Sequence, residues 1–279
     1  QDGCRNFCSY CIIPYVRGAC RSKDFNKVIK EVKTLTENGY QEIVLTGIHT
    51  GNYGVDLKTN FANLLKELVK IEKVKWLRIQ YAYPHPFTDE LIDLIASEDK
   101  ICNYVDLPLQ HAHNDVLKRM RRSDTKESVP GVVIRSSFIV GFPGETDSQY
   151  TTLRNFVEKQ RFDKVGIFSY SREEGTPAYD MPNQVDENIM QERYHDLMSL
   201  QSKISETINI EMEGKVLDVL IEGRDDEQHM AYGRSYREAP DVDGQVFIEG
   251  DDISQPGDIV KVRILQGFDY DVVGERVDA

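Results

Sequence analysis

GCRNFCSYC, residues 3–11, places three cysteines within one short stretch, with an aromatic residue, Tyr10, directly before the last. The cluster has three readings: a disulfide pair with a spare thiol, a closed structural metal site, or a ligand set that leaves one coordination position open. The 279-residue chain has 5 cysteines (Cys4, Cys8, Cys11, Cys20 and Cys102), an odd number and too clustered for a disulfide framework, so reduced, metal-ligating thiolates are expected. Cys4-x3-Cys8-x2-Cys11 lacks the two separated pairs of a zinc ribbon. A closed zinc site would need Cys20 as fourth ligand across a gap that matches no familiar knuckle. Three thiolates on one loop suit three irons of a four-iron, four-sulfur cluster, with the fourth iron open to a ligand.

Downstream, strand and helix patterns alternate. Asp24 can cap a helix carrying Val28, Ile29, Val32 and Leu35, which Gly39 ends. Strands are expected at EIVLTG (42–47), WLRIQY (76–81), YVDLPL (104–109), VVIRSSFIV (132–140) and KVGIFSY (164–170). Helices are expected at FANLLKELVKI (61–71), TDELIDLIA (88–96), DVLKRMRR (115–122), around 147–160 and over 186–211. The alternation predicts parallel βαβ units. GIHTG, LPLQH, GFPGE and SYSREEGTP each follow a strand, which puts them at the strand C-termini where barrel-type α/β enzymes build their sites. From Gly214 the pattern changes to VLDVLIEG, AYGRSY, GQVFIEG and DIVKVRIL, short strands between Gly, Asp and Pro that predict a small all-β barrel. The domains are therefore expected at 1–211 and 212–279.

Net charge is −13, and between Met212 and Ala279 7 Lys and Arg face 17 Asp and Glu, so −10 of it belongs to the small barrel and −3 to the rest. No stretch approaches the roughly 18 apolar residues of a membrane helix, and no signal peptide opens the chain. A cytoplasmic monomer without a membrane partner is expected. The chain opens at Gln1 and runs almost at once into the cysteines, which reads as a piece whose N-terminal portion is absent.

The CxxxCxxC spacing with Tyr10 before the last cysteine resembles the radical S-adenosylmethionine enzymes. That resemblance implies a partial (β/α)6 TIM-like barrel, a cluster held by Cys4, Cys8 and Cys11, and an open iron that chelates S-adenosylmethionine and cleaves it to a 5′-deoxyadenosyl radical. GCRNFCSYCIIPYVRG with RSK, VDLPLQHAHNDVLKRMRR and FIVGFPGET narrow the likeness to the methylthiotransferases, across essentially the whole chain. Their terminal barrel is the OB-like TRAM domain. The resemblance puts Tyr10, Thr46, Gly47, Gln110, Arg135, Ile139 and Gly141 at the S-adenosylmethionine pocket. The usual Gly-Gly-Glu is not present at Thr46 and Gly47. Plainer readings stand beside these: Gln110 and His111 capping a strand end, Arg135 pairing with a carboxylate, Gly141 and Gly144 as turn glycines. Cys20 and Cys102 read as ordinary thiols, Cys102 as a small core residue. The family carries a second four-iron cluster on a further N-terminal domain, so this chain is expected to hold one cluster and not to complete methylthiolation alone. It also joins helix to strand over 121–133 with less sequence than the family uses.

Methylthiotransferases of this kind act on an aspartate of a small-subunit ribosomal protein (protein twelve) or on threonylcarbamoyladenosine in transfer RNA. A barrel of net −10 repels a polyanion and attracts a basic protein, which favours the ribosomal protein. YAYPHPFTDELIDLIA and GRSYREAPDVDGQVFI resemble the enzymes of that substrate, whereas QDGCRNFCSYCIIPYVRG and EIVLTGIHTGNYG resemble those of transfer RNA. Lys118, Arg119, Arg121 and Arg122 read as a basic patch, or as cations at a helix C-terminus. An electron donor such as flavodoxin or ferredoxin is implied. Outside the family, a zinc-holding RNA-binding module is the alternative.

Overall fold

The computed structural model describes residues 1–83, 88–122, 132–225, 227 and 229–277. Helices α1 (Ile13–Arg17) and α2 (Phe25–Glu37) follow the cysteine stretch. Five β/α steps come next: β1 (Glu42–Leu45), α3 (Phe61–Leu68), β2 (Trp76–Ile79), α4 (Asp89–Ser97), β3 (Ile101–Asp106), α5 (Asn114–Arg119), β4 (Val133–Val140), α6 (Asp147–Gln160), β5 (Lys164–Ser169) and the long α7 (Glu187–Ile210). The helix starts follow local chemistry. The Asp24 carboxylate accepts from Lys27 N at 2.9 Å, Asn60 from Asn63 N at 2.8 Å, and Thr146 and Gln149 form a reciprocal capping box at α6.

The strands lie in order β1-β2-β3-β4-β5, each parallel to the next, giving an open five-stranded half-barrel wall among the described residues where the resemblance implied six units. Residues 123–131, most of the short connection noted above, lie outside the described residues. Alternation along the strands sorts the side chains. Ile43, Leu77, Ile79, Ile101 and Val105 face outward onto α2, α3 and α4, and Phe138, Val140 and Ile167 pack with Leu153, Val157 and Leu197. The opposite, concave face carries Glu42, Arg78, Tyr104, Asp106, Arg135 and Lys164, all half-buried or buried.

Five further strands, β6 (Val216–Asp225), β7 (Met230–Arg234), β8 (Val246–Glu249), β9 (Ile259–Gly267) and β10 (Val272–Arg276), close a barrel in the order β10-β8-β7-β6-β9. The β8–β10 pair is parallel and the others antiparallel, which is the five-stranded Greek-key arrangement of OB-folds. Val219, Ile221, Ala231, Val246, Ile248, Val262 and Ile264 fill its interior.

The barrel closes the charged concave face. Arg78 Nε donates to Glu42 Oε1 at 2.6 Å, while Arg78 Nη1 and Nη2 donate to the carbonyls of Tyr236 and Ser235 at 2.8 and 3.0 Å. Arg234 Nη2 takes the other Glu42 oxygen at 2.7 Å and Arg234 Nε reaches Glu222 at 2.7 Å. Cys102, Tyr104, Val133 and Ala239, with Trp76 and Tyr236, pack beside this seam. Cys102 is thus a small buried residue of the domain contact, its thiol pushed up to about 12 by burial. Burial alone would raise the Glu42 carboxyl, but Arg78 and Arg234 outweigh it and hold it below the ordinary value.

Removing one partner of a buried ion pair strands the other charge, so Glu42→Gln is expected to cost about 3 kcal/mol in urea unfolding. Because the folded value of Glu42 is depressed, its contribution is complete above about pH 4.3 and lost as pH falls through the lower folded value. The acid limb of the stability profile should therefore flatten in Glu42→Gln.

Candidate functional site

The cysteine stretch is pinned at both ends. Asp2 and Arg21 exchange backbone hydrogen bonds at 3.0 and 2.8 Å, and Cys4 N donates to Gly18 O at 3.0 Å. Gly3, between them, has φ +73, and a Cβ there would lie 2.2 Å from Ala19 O, so no other residue fits. Ser9 is fully buried: its N donates to Met120 O at 3.0 Å, its Oγ to Arg119 O at 2.7 Å, and its carbonyl accepts from Ala178 N at 2.8 Å. The end of α5 and the segment after β5 thereby clamp the loop over the strand C-termini. Cys11 N donates to Cys8 O at 3.0 Å and closes the turn that carries the last two thiols.

Cys8 is buried, and Cys4 and Cys11 are half-buried. Burial raises the Cys4 thiol, and Cys20, Cys8 and Cys11 add to it, so four of the 5 thiols share one neighbourhood. Burial likewise raises Cys11, with Cys8 adding. Thiols of this kind ionise when a metal supplies the compensating positive charge. Three thiols on one short loop are a donor set that fits a four-iron cluster, in which each thiolate would bind a different iron.

Several of the expected pocket residues meet beside this loop. Tyr10, Ile139 and Met190 pack on Val116, Met120, Phe142, Tyr170 and Ala178. Arg122 Nη1 donates to Tyr10 Oη at 3.3 Å and Nη2 to Pro108 O at 2.6 Å, with its guanidinium 4.2 Å from the Tyr83 ring. Burial raises the Tyr10 hydroxyl despite Arg122, so it stays protonated. Gln110 sits at φ +71, its backbone inserted between Ser137 O and Ile139 N at 2.7 and 2.8 Å. Gly141 has φ +75 and faces Met190. Its N donates to Glu145 Oε2 at 3.0 Å; Glu145 Oε1 accepts from Arg193 at 2.9 Å, and His111 Nε2 lies 3.6 Å from Oε2. That buried brace fixes the Gly141–Gly144 turn.

Arg135 lies deeper, on the concave face. Its Nη1 reaches Asp106 Oδ1 at 3.3 Å and its Nε is 3.4 Å from Asp243 Oδ1 of the small barrel. Burial would lower Arg135, but Asp106, Tyr104 and Asp243 carry it up; burial raises Asp106 although Arg135 opposes it. Thr46 and Gly47 follow β1, at the edge of the sheet; Thr46 is exposed, and a Cβ on Gly47 would meet the O of Gln1, at the start of the cysteine stretch, at 2.8 Å.

The expected basic patch on α5 is not a patch. Arg122 is 9% exposed and turned inward, and Arg119 donates to Gly144 O and Gln149 Oε1 at 3.2 and 3.0 Å, so only Lys118 and Arg121 face solvent. The half-buried carbonyls of Pro108 and Gly144 hold the two guanidinia in place of water. Arg122, Asp106, Glu145 and Asp243 are site residues that sequence reasoning missed. For Glu145 the GFPGET loop was a signal; for Asp243, one acid among many, there was none. Gly3→Ala is expected to break the Asp2–Arg21 pairing at a cost of about 2 kcal/mol, read as roughly thirtyfold faster amide exchange at Cys4 and Arg21.

Residues 1–157 match the Radical SAM superfamily and residues 214–277 the TRAM domain. The ribosomal protein uS12 methylthiotransferase RimO of Caldanaerobacter subterraneus subsp. tengcongensis is 44% identical over 286 aligned residues, covering 98% of this chain and 65% of the relative. Its counterpart in Clostridium botulinum is 43% identical, covering 98% and 64%. The chain thus spans a little under two thirds of the length of these curated relatives. Coproporphyrinogen III oxidase (HemN) of Escherichia coli, described as a radical SAM enzyme, has a similar fold, with TM-score 0.52, 11% identity, and coverage of 73% of this chain and 51% of that one.

Proposed function

The chain belongs to the radical SAM superfamily, and from that premise we propose that it is the catalytic core of a methylthiotransferase acting on an aspartate of ribosomal protein uS12. The observation that carries this is the 44% identity to an enzyme of that name along 98% of the chain. Cys4, Cys8 and Cys11 are the ligands of a four-iron, four-sulfur cluster, which supplies the electron that cleaves S-adenosylmethionine.

The protein's own groups hold and shield that site. Ser9 and Gly3 fix the thiol loop, and Arg122 orients Tyr10 against it. Gln110 and Ile139 present backbone at the strand ends, and Gly141 lets its turn approach closely. The apolar group around Phe142 and Tyr170 keeps water from beneath the loop. The lower lumen is lined by Arg135 and Asp106. Thr46 and Gly47 follow β1, and Gly47 lies against Gln1 at the start of the thiol loop.

Domains at 1–211 and 212–279, a cytoplasmic monomer, and reduction by a flavodoxin- or ferredoxin-type donor complete the proposal. The second cluster of the family is assigned outside these residues, so this chain alone does not complete methylthiolation. No helix among the described residues is long and apolar enough to cross a membrane. A transfer-RNA substrate is the second reading, favoured by the OB topology, whose β7–β8 face corresponds to the one oligonucleotide-binding barrels use. The barrel's net −10 favours the basic ribosomal protein.

Anaerobic reconstitution is expected to give about four irons per chain, and close to none in a Cys4, Cys8 and Cys11 triple alanine variant. About eight irons, or a colourless zinc protein, would overturn the cluster assignment. Binding to uS12 is expected to exceed binding to transfer RNA at equal salt and to weaken as salt rises. The reverse order would transfer the proposal to RNA.

A further inference from the structure

Asp243 belongs to the small barrel by sequence, yet its carboxylate sits among residues of the parallel sheet. Its Oδ2 accepts from Tyr104 Oη at 2.7 Å and from Ala239 N at 2.9 Å, and its Oδ1 lies 3.4 Å from Arg135 Nε. Arg135 Nη1 is held on its other side by Asp106 at 3.3 Å. Both carboxylates are only 3% exposed, against 12% for Arg135. Gly166 on β5 lies beside the third nitrogen, a Cβ there standing in van der Waals contact at 3.5 Å from Arg135 Nη2. One cation is thus fixed between two buried carboxylates, one from each domain.

We propose that Asp243 is a positioning residue for the S-adenosylmethionine pocket. It fixes the Arg135 guanidinium against the wall formed by β4 and β5, so that one residue of the small barrel is a structural part of the cofactor site. This rests on the lumen being that site, as proposed above.

The test is equilibrium binding of S-adenosylmethionine to anaerobically reconstituted protein of matched iron content. In Asp243→Asn the amide oxygen can still accept from Tyr104 and Ala239, but the amide nitrogen then faces Arg135 Nε, donor against donor. The variant removes the Arg135 contact and the charge while keeping the volume. Its dissociation constant is expected to rise about tenfold. Tyr104→Phe, which takes away the hydroxyl holding Asp243, is expected to shift it the same way by less, and serves if Asp243→Asn does not fold. Glu42→Gln weakens the same domain contact three strands away and is expected to leave the affinity unchanged. Wild-type affinity in Asp243→Asn, or in Tyr104→Phe where that variant stands in, overturns the proposal. So does an equal loss in Glu42→Gln, which would mean that domain docking alone is responsible. Arg135→Ala separates the two levels: full affinity there sinks the lumen assignment itself, whereas weak binding there with full affinity in Asp243→Asn sinks only the role of Asp243.

Discussion

Glu42 lies between two arginines that arrive from different domains, Arg78 from β2 and Arg234 from β7, and each of its oxygens takes one of them. Desolvating three charges costs several kcal/mol apiece, which is recovered only when every donor and acceptor finds a partner. Here they do. Arg78 spends its remaining nitrogens on the Ser235 and Tyr236 carbonyls, and Arg234 on Glu222 and on the Glu238 carbonyl at 3.2 Å. Glu238 in turn accepts from Ser235 N and Oγ at 3.0 and 2.6 Å, which locks the segment that those carbonyls belong to.

That locking explains why the concave face of the sheet can be charged at all. A half-barrel wall with Glu42, Arg78, Asp106, Arg135 and Lys164 along its inner side would be wet if left open. The small barrel covers its lower part, and three of these charges have an opposite one from across the contact: Arg234 for Glu42, Asp243 for Arg135, and Glu238 3.8 Å from Lys164. The upper part, under the cysteine loop, is closed instead by apolar side chains and the inward-turned Arg122. The lumen therefore has a polar, ion-paired floor and an apolar roof support. Cys4, Cys8 and Cys11 stand above both, on a loop fixed from two sides.

What was legible in the sequence was what depends on near neighbours. The cysteine spacing, the helix cap at Asp24 and the strand segments of β1 to β3 are all local signals. Tyr10, Ile139 and Gly141, assigned by resemblance, do meet around Phe142 and Met190. What was not legible was partnership across the chain. VVIRSSFIV reads as a strand with a polar centre, and nothing in it says that Arg135 will find Asp243. Arg78 and Tyr236 are 158 residues apart. The misread α5 patch has the same cause, because two arginines at a helix end look solvent-facing until the carbonyls of Pro108 and Gly144 are in place.

The seam also bears on how the barrel's charge should be counted. Part of its acidity is internal, since Glu238, Asp243 and Asp251 have side chains at most 3% exposed, and Arg234 and Arg237 are buried as well. Removing these from the 17 acidic and 7 basic residues leaves 14 against 5, a net of −9 in place of −10. Burial therefore removes nearly equal numbers of each sign, and the outward field of the barrel is almost that of the whole sequence. A polyanion would have to neutralise that field before releasing any counterions of its own, whereas a basic protein meets it as attraction. The two tasks of the domain are thus carried by different sets of acids. A few buried ones pair with the arginines of the domain contact, and the many exposed ones set the outward field.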